Sequence, residues 1–563
     1  MRLRLRRAGP EPGAGPGTGA GQAATEPLRI LLARLEGVQS PAVAIVHGGG
    51  GGLARTIAGR LPTARVTTYD LAAGLDELHV RLAADGPFDV LLDLTRAAGA
   101  RRRFESLVFQ ARPGGVLVMR LSNEELQSED GLLSHLASLQ ALRSQVGTQD
   151  PSPGKDDRTN KERDRDALAI SVAEVQQSGQ YLVTVNAAPT LAKIPELAMN
   201  DFLRRRGAGD TVVATVPAVE WAARCAVRAS ADAYAASLPS VYTAPELSLR
   251  EYHRVTCLPR QAAYRDNFVL PESFRHNARK RLRNPKFIEW APGFVRDPEV
   301  RAEPLSGSFF YLDNHVRGHF GHVMTEQISH LWGWDQAKER DPSMRALVSV
   351  WGGKPVGGWE YDLLAAAGIR REDLVVIEEP VVVEKLVTTS PMFSMPEFVH
   401  PGIRATYDSL GAALASRATS RSWPTRVFCS RRTQKRRCHN TAEVEQLFGA
   451  AGFEVIYPED HTMADQAQFV RQAEVIAGFA GSGMFQISLT GGPKRVMLIS
   501  SESYTAQNEY MMAAVLGHDL DVALCRPDVP RTQGRFSVAW YQSDFRFDHA
   551  REGAFVRDWL EEL

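Results

Sequence analysis

The sequence predicts an α/β protein made of several domains. Its 563 residues exceed what one hydrophobic core usually organises, and a domain size of about 100–200 residues predicts three or four units. Two parts of the chain alternate short apolar strands with amphipathic helices, which is typical of parallel sheets. Between them, residues 148–166 contain no apolar side chain and cannot enter a core. These observations predict separate α/β units joined by irregular segments.

Composition argues against several classes of function. The chain is 44% apolar and 23% charged with a formal net charge of +0, which disfavours disorder throughout and a general attraction to nucleic acid or membrane. Scattered cysteines without a CxxC pair predict a reducing, cytoplasmic location. The basic N-terminus lacks the apolar stretch of a signal peptide, and no run reaches the roughly 18 apolar residues of a membrane span. We expect no nucleic-acid partner and no integral membrane segment, whereas peripheral membrane association stays open.

The front of the chain predicts one α/β domain over residues 27–200. Its segments are VAIVH (43–47), LARTIAGRL (53–61), RVTTYDL (65–71), FDVLLDL (88–94) and GGVLVMRL (114–121). Residues 1–26 are rich in Arg, Gly, Pro and Ala and predict a disordered tail. The polar stretch 148–166 predicts a loop insertion or linker. Residues 201–300 predict a connector and the leading edge of the next domain.

The rear of the chain predicts two further α/β units, 301–420 and 421–545, and a C-terminal helix over 546–563. The pattern is strongest from Arg426 to Ser500, where strands and helices alternate as β-α-β-α-β-α-β with short connections. Right-handed crossovers would place helices on both faces of the sheet and a ligand at the carboxyl ends of the strands.

Two loops of the 421–545 unit are predicted at that edge of the sheet. Gly481, Ser482 and Gly483 follow an apolar strand and precede a helix, so their N–H groups could hold a phosphate; a tight turn is the alternative. A second loop could neutralise a diphosphate or form solvated surface. Its cationic residues are Arg431, Arg432, Lys435, Arg436 and Arg437. Asn440 and Glu443 have the spacing of a helix capping box.

A polar stripe is predicted on the first helix of the 301–420 unit. His322, Glu326 and His330 are spaced i, i+4 and i+8 and share one face of the helix. Glu326 could orient His322, or either group could take a proton from a hydroxyl. A solvent-facing or core histidine is the alternative. His319, His322 and Glu326 also offer the ligand types of a zinc site, although the HExxH order is missing.

Residues from about 305 to 505 resemble glycosyltransferase family 61, because motifs similar to those of the family occur in the same order. These are Gly321-His322 with Glu326 and Trp332, Ser430-Arg431 with Arg436, Asn440 and Glu443, Pro458-Glu459 with Asp465-Gln466, and Gly478-Phe479-Ala480-Gly481-Ser482-Gly483. In the last motif the family carries a histidine where this chain has Ala480. The alanine at this position leaves the predicted fold unaffected, and it bears on catalytic activity and on which donor is bound.

The resemblance implies a GT-B-like pair of Rossmann-type domains with glycosyltransferase activity (EC 2.4). The sugar would pass from a nucleotide diphosphate sugar to a glycan or polysaccharide hydroxyl, with inversion, in surface or capsular polysaccharide biosynthesis. No metal and no cofactor beyond this donor is expected. Two DxD sequences, at residues 164–166 and 519–521, lie in the polar insertion and beyond the expected site loops. Cationic side chains are therefore expected to offset the charge of the leaving diphosphate.

The residues expected to carry this chemistry fall into two groups. His322, or Glu326 acting with it, is the expected base for the acceptor hydroxyl, and Asp313 is held in reserve. The donor is expected to contact Arg431, Arg436, Asn440, Glu459, Gln466, Gly481, Ser482 and Gly483.

The 27–200 domain resembles an S-adenosylmethionine-dependent methyltransferase fold. The resemblance lies in the strand VAIVH, the glycine loop Gly48 to Gly52 and the strand that ends at Asp70. It implies an S-adenosylmethionine site at Gly48, Gly50 and Asp70. His47 stands near where the family has an acidic residue, and no methyl-acceptor site is recognisable, which favours a degenerate scaffold. Two other functions stay open: a methyltransferase acting on a glycan, and a non-catalytic component of a polysaccharide assembly.

Overall fold

The computed structural model describes residues 19–47, 52–95, 97–146, 159–275, 277, 282, 284, 292–295, 300–419, 421–432, 435–532 and 536–563. The chain divides into two compact units. Unit 1 comprises residues 1–211, 252–305 and 380–383, and unit 2 comprises residues 212–251, 306–379 and 384–563. These units differ from the predicted boundaries, because the expected connector 201–300 contributes to both.

Unit 1 contains a six-stranded, mostly parallel sheet. Across the sheet the strands are Arg65–Asp70, Ala42–His47, Phe88–Asp93, Ala111–Arg120, Tyr181–Asn186 and Val172–Ser178. The first four are parallel, and the last two continue the sheet in antiparallel fashion. Apolar side chains of the central strands are buried on both faces. The predicted α/β fold of the front segment is confirmed.

Further elements complete unit 1. A second group of strands is, in spatial order, Gly293–Val295, Thr190–Lys193, Phe268–Val269, Ala262–Arg265 and the part of Leu247–Leu258 that belongs to this unit. The α-helices are Gly19–Leu35, Gly52–Arg60, Leu75–Asp85, Ala100–Leu107, Asn123–Gln127, Leu132–Val146, Asn160–Ser171 and Glu196–Arg206, with 3-10 turns at Leu71–Ala73, Val108–Gln110 and Pro271–Ser273.

Two segments predicted to be irregular contain helix. Helix Gly19–Leu35 begins inside the predicted tail 1–26, of which residues 1–18 lie outside the described part of the chain. Helix Asn160–Ser171 occupies the end of the predicted insertion 148–166, of which residues 148–158 are likewise outside it. Thr159 caps this helix, since its hydroxyl oxygen accepts the Glu162 N–H at 3.3 Å. A polar sequence can therefore still begin a helix, and two of its residues, Asp164 and Asp166, are buried despite the absence of apolar side chains.

Unit 2 contains a six-stranded sheet in which every neighbouring pair is parallel. Across the sheet the strands are Val227–Ala229, Asp519–Cys525, Arg495–Ser501, Val475–Phe479, Arg426–Cys429 and Glu454–Ile456. Their carboxyl ends meet at one edge, since all run in the same direction. The helices that connect them are Thr441–Ala450, Met463–Gln472 and Asn508–Leu516, with a 3-10 helix at Ser482–Leu489. This is the β-α-β-α-β-α-β order that the sequence predicts.

A second sheet in unit 2 belongs to the part of the chain around residues 301–420. Its strands in spatial order are the unit 2 parts of Leu247–Leu258, Val381–Thr389 and Glu303–Tyr311, then Arg345–Ser349 and Leu374–Ile377. The last three strands of this series are parallel. They are accompanied by helices Trp334–Arg340, Gly358–Ala366 and Ile403–Ala415. Unit 2 therefore holds two parallel-rich α/β layers.

The remaining elements of unit 2 are short. They are strands Thr211–Val216, Val219–Ala222, Val241–Ala244, Phe393–Ser394 and Phe398–Val399, helices Asp232–Ala236, Phe320–His322, Val538–Tyr541 and Glu552–Glu561, a π-helical turn at Val323–Gln327, and 3-10 turns at Ile328–Gly333, Arg371–Asp373 and Pro458–Asp460. Helix Glu552–Glu561 packs Trp559 into the core beside Phe448 and Phe453. Among the described residues of the whole chain, no helix is both long and apolar enough to cross a lipid bilayer.

Candidate functional site

A cavity of about 670 Å³ opens at the carboxyl edge of the parallel six-stranded sheet of unit 2. Its lining residues are Phe320, Trp359, Arg431, Arg432, Arg436, Pro458, Glu459, His461, Met463, Gln466, Ser482 and Gly483. The first two come from the 301–420 region and the others from the 421–545 region. Clefts at this edge of an open α/β sheet are where ligands usually bind.

Two arginines on the cavity wall lack a carboxylate partner. Arg431 follows strand Arg426–Cys429 and donates from Nη1 to the Ala480 carbonyl oxygen at 3.0 Å and from Nη2 to the Arg436 carbonyl oxygen. Arg436, with a left-handed φ of 52°, places its Cζ 4.4 Å from the ring centre of Tyr504. Among the described residues neither guanidinium forms a salt bridge. Burial and the charge of Arg436 lower the pKa of Arg431 to about 10.

The neighbouring cations of the same loop are neutralised locally. Arg432 forms a 2.5 Å ion pair with Asp460, and Arg437 lies 3.6 Å from Asp544. Of the five predicted charges, Arg432 and Arg437 are thus ion-paired and Lys435 is exposed, whereas Arg431 and Arg436 line the cavity without a salt bridge. Two adjacent positive charges that form no salt bridge among the described residues repel one another and favour an anionic ligand.

The glycine loop packs against these guanidiniums. Gly481 has a φ of 133°, and a Cβ at this position would lie 2.9 Å from Arg436 Nη2 and 3.5 Å from Arg431 Nη1. Its N–H donates to the carboxylate oxygen Oε1 of Glu509 at 2.7 Å. A larger residue would therefore displace the guanidiniums. This N–H is used inside the protein, so Gly481 serves the loop's shape instead of contributing the predicted donor to a phosphate.

The segment after the loop is a 3-10 helix, Ser482–Leu489, where the sequence predicts an α-helix. Ser482 and Gly483 line the cavity. Because the poorer alignment of 3-10 peptide groups weakens a helix dipole, positive charge at this edge comes chiefly from the arginines.

His322 and Glu326 form a hydrogen-bonded pair beside the loop. The His322 Nδ1–H donates to Glu326 Oε1 at 2.8 Å, and both side chains are about one-fifth exposed (21% and 16%). A carboxylate acceptor fixes the proton on Nδ1. The Nε2 atom of a neutral ring then carries the lone pair and can accept a proton.

A π-helical turn holds this pair in place. The Ile328 N–H donates to the Val323 carbonyl oxygen, which is the i to i+5 pattern of a π-turn. The Tyr407 hydroxyl donates to the Met324 carbonyl oxygen at 2.9 Å and stabilises the widened turn. Such turns recur at functional sites because they reorient side chains on an otherwise helical segment. The i, i+4 contact of His322 and Glu326 is present, whereas the regular α-helix predicted through His330 is not.

Gly321 brings the histidine segment against the glycine-loop segment. A Cβ on Gly321 would lie 2.9 Å from Ser482 Cβ and 3.0 Å from Phe485 Cε2. Contacts between carbon atoms are normally about 3.5–4.0 Å, so only glycine allows this approach. The two predicted sides of the site therefore meet at Gly321, with His322 as its immediate neighbour.

His319 is a second imidazole in the same segment. Its ring centroid lies 4.6 Å from that of His322. Burial, together with the nearby His322 and Lys435, lowers the pKa of His319 to about 4, so this ring is neutral at pH 7. Within the described ranges no group of three or more His, Cys, Asp or Glu side chains has the arrangement of a metal site.

Phe320 and Trp359 form an aromatic wall. Their ring centroids are 5.7 Å apart in an edge-to-face arrangement. The start of helix Gly358–Ala366 is fixed by Glu360, which accepts from Arg317 Nη1 at 3.2 Å and from the Gly357 N–H at 2.8 Å. Both Arg317 and Glu360 are 1% exposed in their side chains. This buried pair positions the Trp359 ring at the cavity.

Three residues from the sequence prediction are engaged elsewhere. Asp313 accepts the Ser349 N–H and hydroxyl at 2.9 and 2.8 Å, which joins the ends of neighbouring strands. His330 bonds through Nδ1 to the Thr389 carbonyl oxygen at 2.7 Å. Asn440 Oδ1 accepts the Phe547 N–H at 3.0 Å and makes no side-chain cap of its helix. These three side chains have partners within the fold, and the predicted helix cap by Asn440 is wrong.

Glu459 and Gln466, two of the residues expected to contact the donor, line the cavity. Glu459 also accepts the Arg432 N–H through Oε1 at 2.5 Å. Gln466 donates from Nε2 to the carbonyl oxygens of Pro458 and His461 at 2.7 and 3.0 Å. Gln466 therefore shapes the turn 458–461, and Glu459 carries the exposed carboxylate.

The predicted S-adenosylmethionine site is only partly described. Asp70 ends strand Arg65–Asp70 beside His47, its register partner on the neighbouring strand. Its carboxylate accepts the Ala72 N–H at 2.9 Å and so caps the following turn. Gly48 and Gly50 lie outside the described residues. The described part of this edge supports the capping role of Asp70.

Sequence reasoning missed several residues of the site. Phe320, Trp359 and His461 line the cavity, and Glu509 supports the glycine loop from behind. Glu509 was recognisable as the only charged residue of the apolar helix NEYMMAAVL. The aromatic residues carry no comparable local signal, because their role depends on which segments meet in the fold.

A known family model matches the segment of the chain that contains this cavity. The family model "Glycosyltransferase 61" matches residues 320–497. The matched segment contains the His322–Glu326 pair, both unpaired arginines and the glycine loop. The prediction of a glycosyltransferase in the rear of the chain is confirmed. No curated protein is significantly similar to the chain in sequence.

Solved structures similar to this chain include two methyltransferases. The MycE methyltransferase from the mycinamycin biosynthetic pathway, in complex with Mg and SAH, is 17% identical with a TM-score of 0.23, covering 29% of this chain and 48% of that chain. A release-factor-specific protein-(glutamine-N5) methyltransferase from Alicyclobacillus acidocaldarius is 16% identical with a TM-score of 0.20, covering 31% of this chain and 99% of that chain. This chain thus spans about half the length of MycE. At such TM-scores the fold assignment of the front segment rests on its own strand order.

Proposed function

We propose that unit 2 transfers a sugar, with inversion, from a nucleotide diphosphate sugar to a hydroxyl of a glycan or polysaccharide. One observation carries the proposal. A single cavity is lined by two guanidiniums without a carboxylate partner, and the segment that bears the His322–Glu326 pair packs against its glycine loop. Anion binding and proton abstraction are the two chemical tasks of such a transfer.

The donor's diphosphate is assigned to Arg431 and Arg436. Guanidinium groups bind phosphate oxygens through paired N–H donors, and they offset the negative charge that develops on a leaving diphosphate. The repulsion between these two arginines is relieved when an anion binds between them. Phe320 and Trp359 supply the apolar and aromatic surface that a nucleoside or sugar ring needs. We therefore propose that charge stabilisation comes from these side chains without an obligatory metal or other cofactor.

The acceptor's proton is assigned to His322. Glu326 holds Nδ1–H, so Nε2 takes the hydroxyl proton while the hydroxyl oxygen attacks the anomeric carbon. The bond from that carbon to the diphosphate breaks at the same time, and the diphosphate leaves toward Arg431 and Arg436. Attack from the face opposite to the leaving group inverts the anomeric configuration. Glu326 stabilises the imidazolium that forms.

The biological setting follows from the acceptor class. We propose surface or capsular polysaccharide biosynthesis, in the cytoplasm where nucleotide sugars are made, with peripheral association to a membrane-borne acceptor. Because Ala480 replaces the family's histidine, the donor must be held without that imidazole. The Ala480 carbonyl oxygen instead fixes Arg431.

A donor panel tests the proposal. Purified protein is mixed with UDP-, GDP-, ADP- and dTDP-linked sugars while thermal stability and release of nucleoside diphosphate are followed. We expect one donor class to stabilise the protein, Arg431→Ala to abolish this stabilisation, and His322→Ala to abolish turnover while binding remains. Arg404→Ala, an exposed arginine of helix Ile403–Ala415, is the matched control. Absence of any nucleotide binding, or wild-type turnover in both site variants, would overturn the proposal.

A further inference from the structure

A buried carboxyl group lies directly behind the glycine loop. Glu509 is the only charged residue of helix Asn508–Leu516, and 2% of its surface is exposed. Its Oε1 accepts the Gly481 N–H at 2.7 Å. The loop beside the donor cavity is therefore held from inside the protein by a group that can carry a negative charge.

The groups that face Glu509 come from four elements. Gly481 donates its N–H, and the Tyr504 hydroxyl forms a further hydrogen bond. Arg436 contributes its positive charge, and Tyr234 of helix Asp232–Ala236, which is half-buried, lies within electrostatic range of the carboxylate. Burial raises the pKa of Glu509 to about 7, while the Gly481 N–H, Arg436 and Tyr504 oppose this rise. At neutral pH both protonation states of Glu509 are populated.

Arg436 connects this carboxyl group with the cavity. The side chain lines the cavity, stacks on Tyr504 with its Cζ 4.4 Å from the ring centre, and reaches within 2.9 Å of a Cβ position on Gly481. Its Nε is buried and has no hydrogen-bond partner among the described residues. A diphosphate in the cavity and the carboxylate of Glu509 would therefore compete for the charge of one guanidinium.

We propose that Glu509 is a positioning residue for the donor: its carboxylate balances Arg436 while the cavity is empty, and it takes up a proton from solvent when a diphosphate replaces it as counter-ion. The inference rests on the proposed function. In the donor-bound state the carbonyl oxygen of the neutral carboxyl group still accepts the Gly481 N–H, so the loop keeps its shape. The proton returns to solvent when the nucleoside diphosphate leaves.

Proton uptake makes donor affinity depend on pH. Donor binding withdraws the compensation that Arg436 gives to the carboxylate, so the pKa of Glu509 rises further in the complex. Each donor bound above pH 7 must then bring one proton into the protein. The dissociation constant is expected to be roughly tenfold larger at pH 8 than at pH 6.

The test measures the dissociation constant of UDP-glucose at pH 6 and pH 8 by calorimetry with the full chain. This probe is a diphosphate diester with no proton to titrate in that range, and GDP-mannose, of the same chemistry, is the second probe. We expect the roughly tenfold ratio in wild type and a ratio near one in Glu509→Gln, whose side-chain oxygen still accepts the Gly481 N–H. Glu474→Gln is the matched control, because Glu474 is exposed and precedes the amino end of strand Val475–Phe479. It should keep the wild-type ratio.

A second measurement does not depend on the variant folding. Titrations of wild type at pH 8 in buffers of different ionisation enthalpy count the protons taken up, and we expect nearly one per donor. A count of zero, or an unchanged pH ratio in Glu509→Gln, overturns the inference while the binding itself still supports the proposed function. Failure of wild type to bind either probe at both pH values counts against the proposed function instead.

Discussion

Gly321 offers a direct test of whether the two sides of the site act together. In Gly321→Ala the new Cβ would lie 2.9 Å from Ser482 Cβ and 3.0 Å from Phe485 Cε2. Ordinary contacts need about 3.5–4.0 Å, so the histidine segment and the glycine-loop segment must separate by about 0.6–1 Å. Overpacking of this kind costs about 1–3 kcal/mol of the free energy of unfolding.

The same displacement moves the base relative to the donor. A misplacement of about 1 Å can lower the rate by about 100-fold, so kcat for donor hydrolysis should fall by about 10- to 100-fold. The donor dissociation constant should change little, because Arg431 and Arg436 stay in place. Gly449→Ala is the control, since Gly449 lies in helix Thr441–Ala450 and a Cβ there meets nothing within 4 Å. A Gly321→Ala enzyme that is folded and turns over at the wild-type rate would refute the assignment of His322 to this site.

Four further outcomes are expected. Arg436→Ala should weaken donor binding by about 10- to 100-fold, as loss of a charged hydrogen bond predicts, and calorimetry at pH 6 checks this. Glu326→Gln should lower kcat by about 100-fold with unchanged donor affinity, whereas an equal loss of both would contradict an orienting role. Trp359→Ala should raise the donor dissociation constant by about three- to tenfold if its ring stacks on the donor. Glu509 has a folded-state pKa of about 7 against an ordinary 4.5, so wild type should lose about 3 kcal/mol of stability as pH rises from about 4.5 to 7; urea unfolding at pH 5 and pH 8 should show no such loss in Glu509→Gln.

The order of the parallel sheet was readable from the sequence because each strand of the 426–500 region is a short apolar run bounded by turn residues. Strands Arg426–Cys429 and Val475–Phe479 lie where RVFCSR and EVIAGFA predict them. Parallel pairing then brings their carboxyl ends together, which made Arg431 and the Gly481 loop neighbours in prediction and in the structure. These features follow from local pattern and one topological rule.

Other roles depend on contacts between distant parts of the chain and have no local signal. The capping-box spacing of Asn440 predicts a helix cap, yet Phe547 takes that side chain because two backbone groups of the C-terminal segment would otherwise lack partners. The sequence predicts that the Gly481 N–H donates a hydrogen bond to a phosphate, but in the structure this N–H donates to the Glu509 carboxylate. Asp313 looked like a spare base because the pairing of its strand with Ser349 is invisible in sequence. A polar residue of a given type can bind a ligand or can form hydrogen bonds within the protein, and only its partner in the folded structure shows which role it has.

The link between Asn440 and Phe547 also bears on how the protein can be handled. The Arg437 N–H donates to Asp544 at 2.7 Å and the His439 N–H to the Phe545 carbonyl oxygen at 2.8 Å, so residues 544–547 run alongside the outgoing end of the arginine loop. A chain that ended at the predicted boundary, residue 545, would lose part of these contacts between residues 437–440 and 544–547. Truncation there removes both Phe547 and Trp559, so Asn440 loses its backbone partners and the core residues Phe448 and Phe453 lose the ring that covers them. Fragments intended for ligand screening should therefore run to Leu563, and an affinity tag should be placed away from this end.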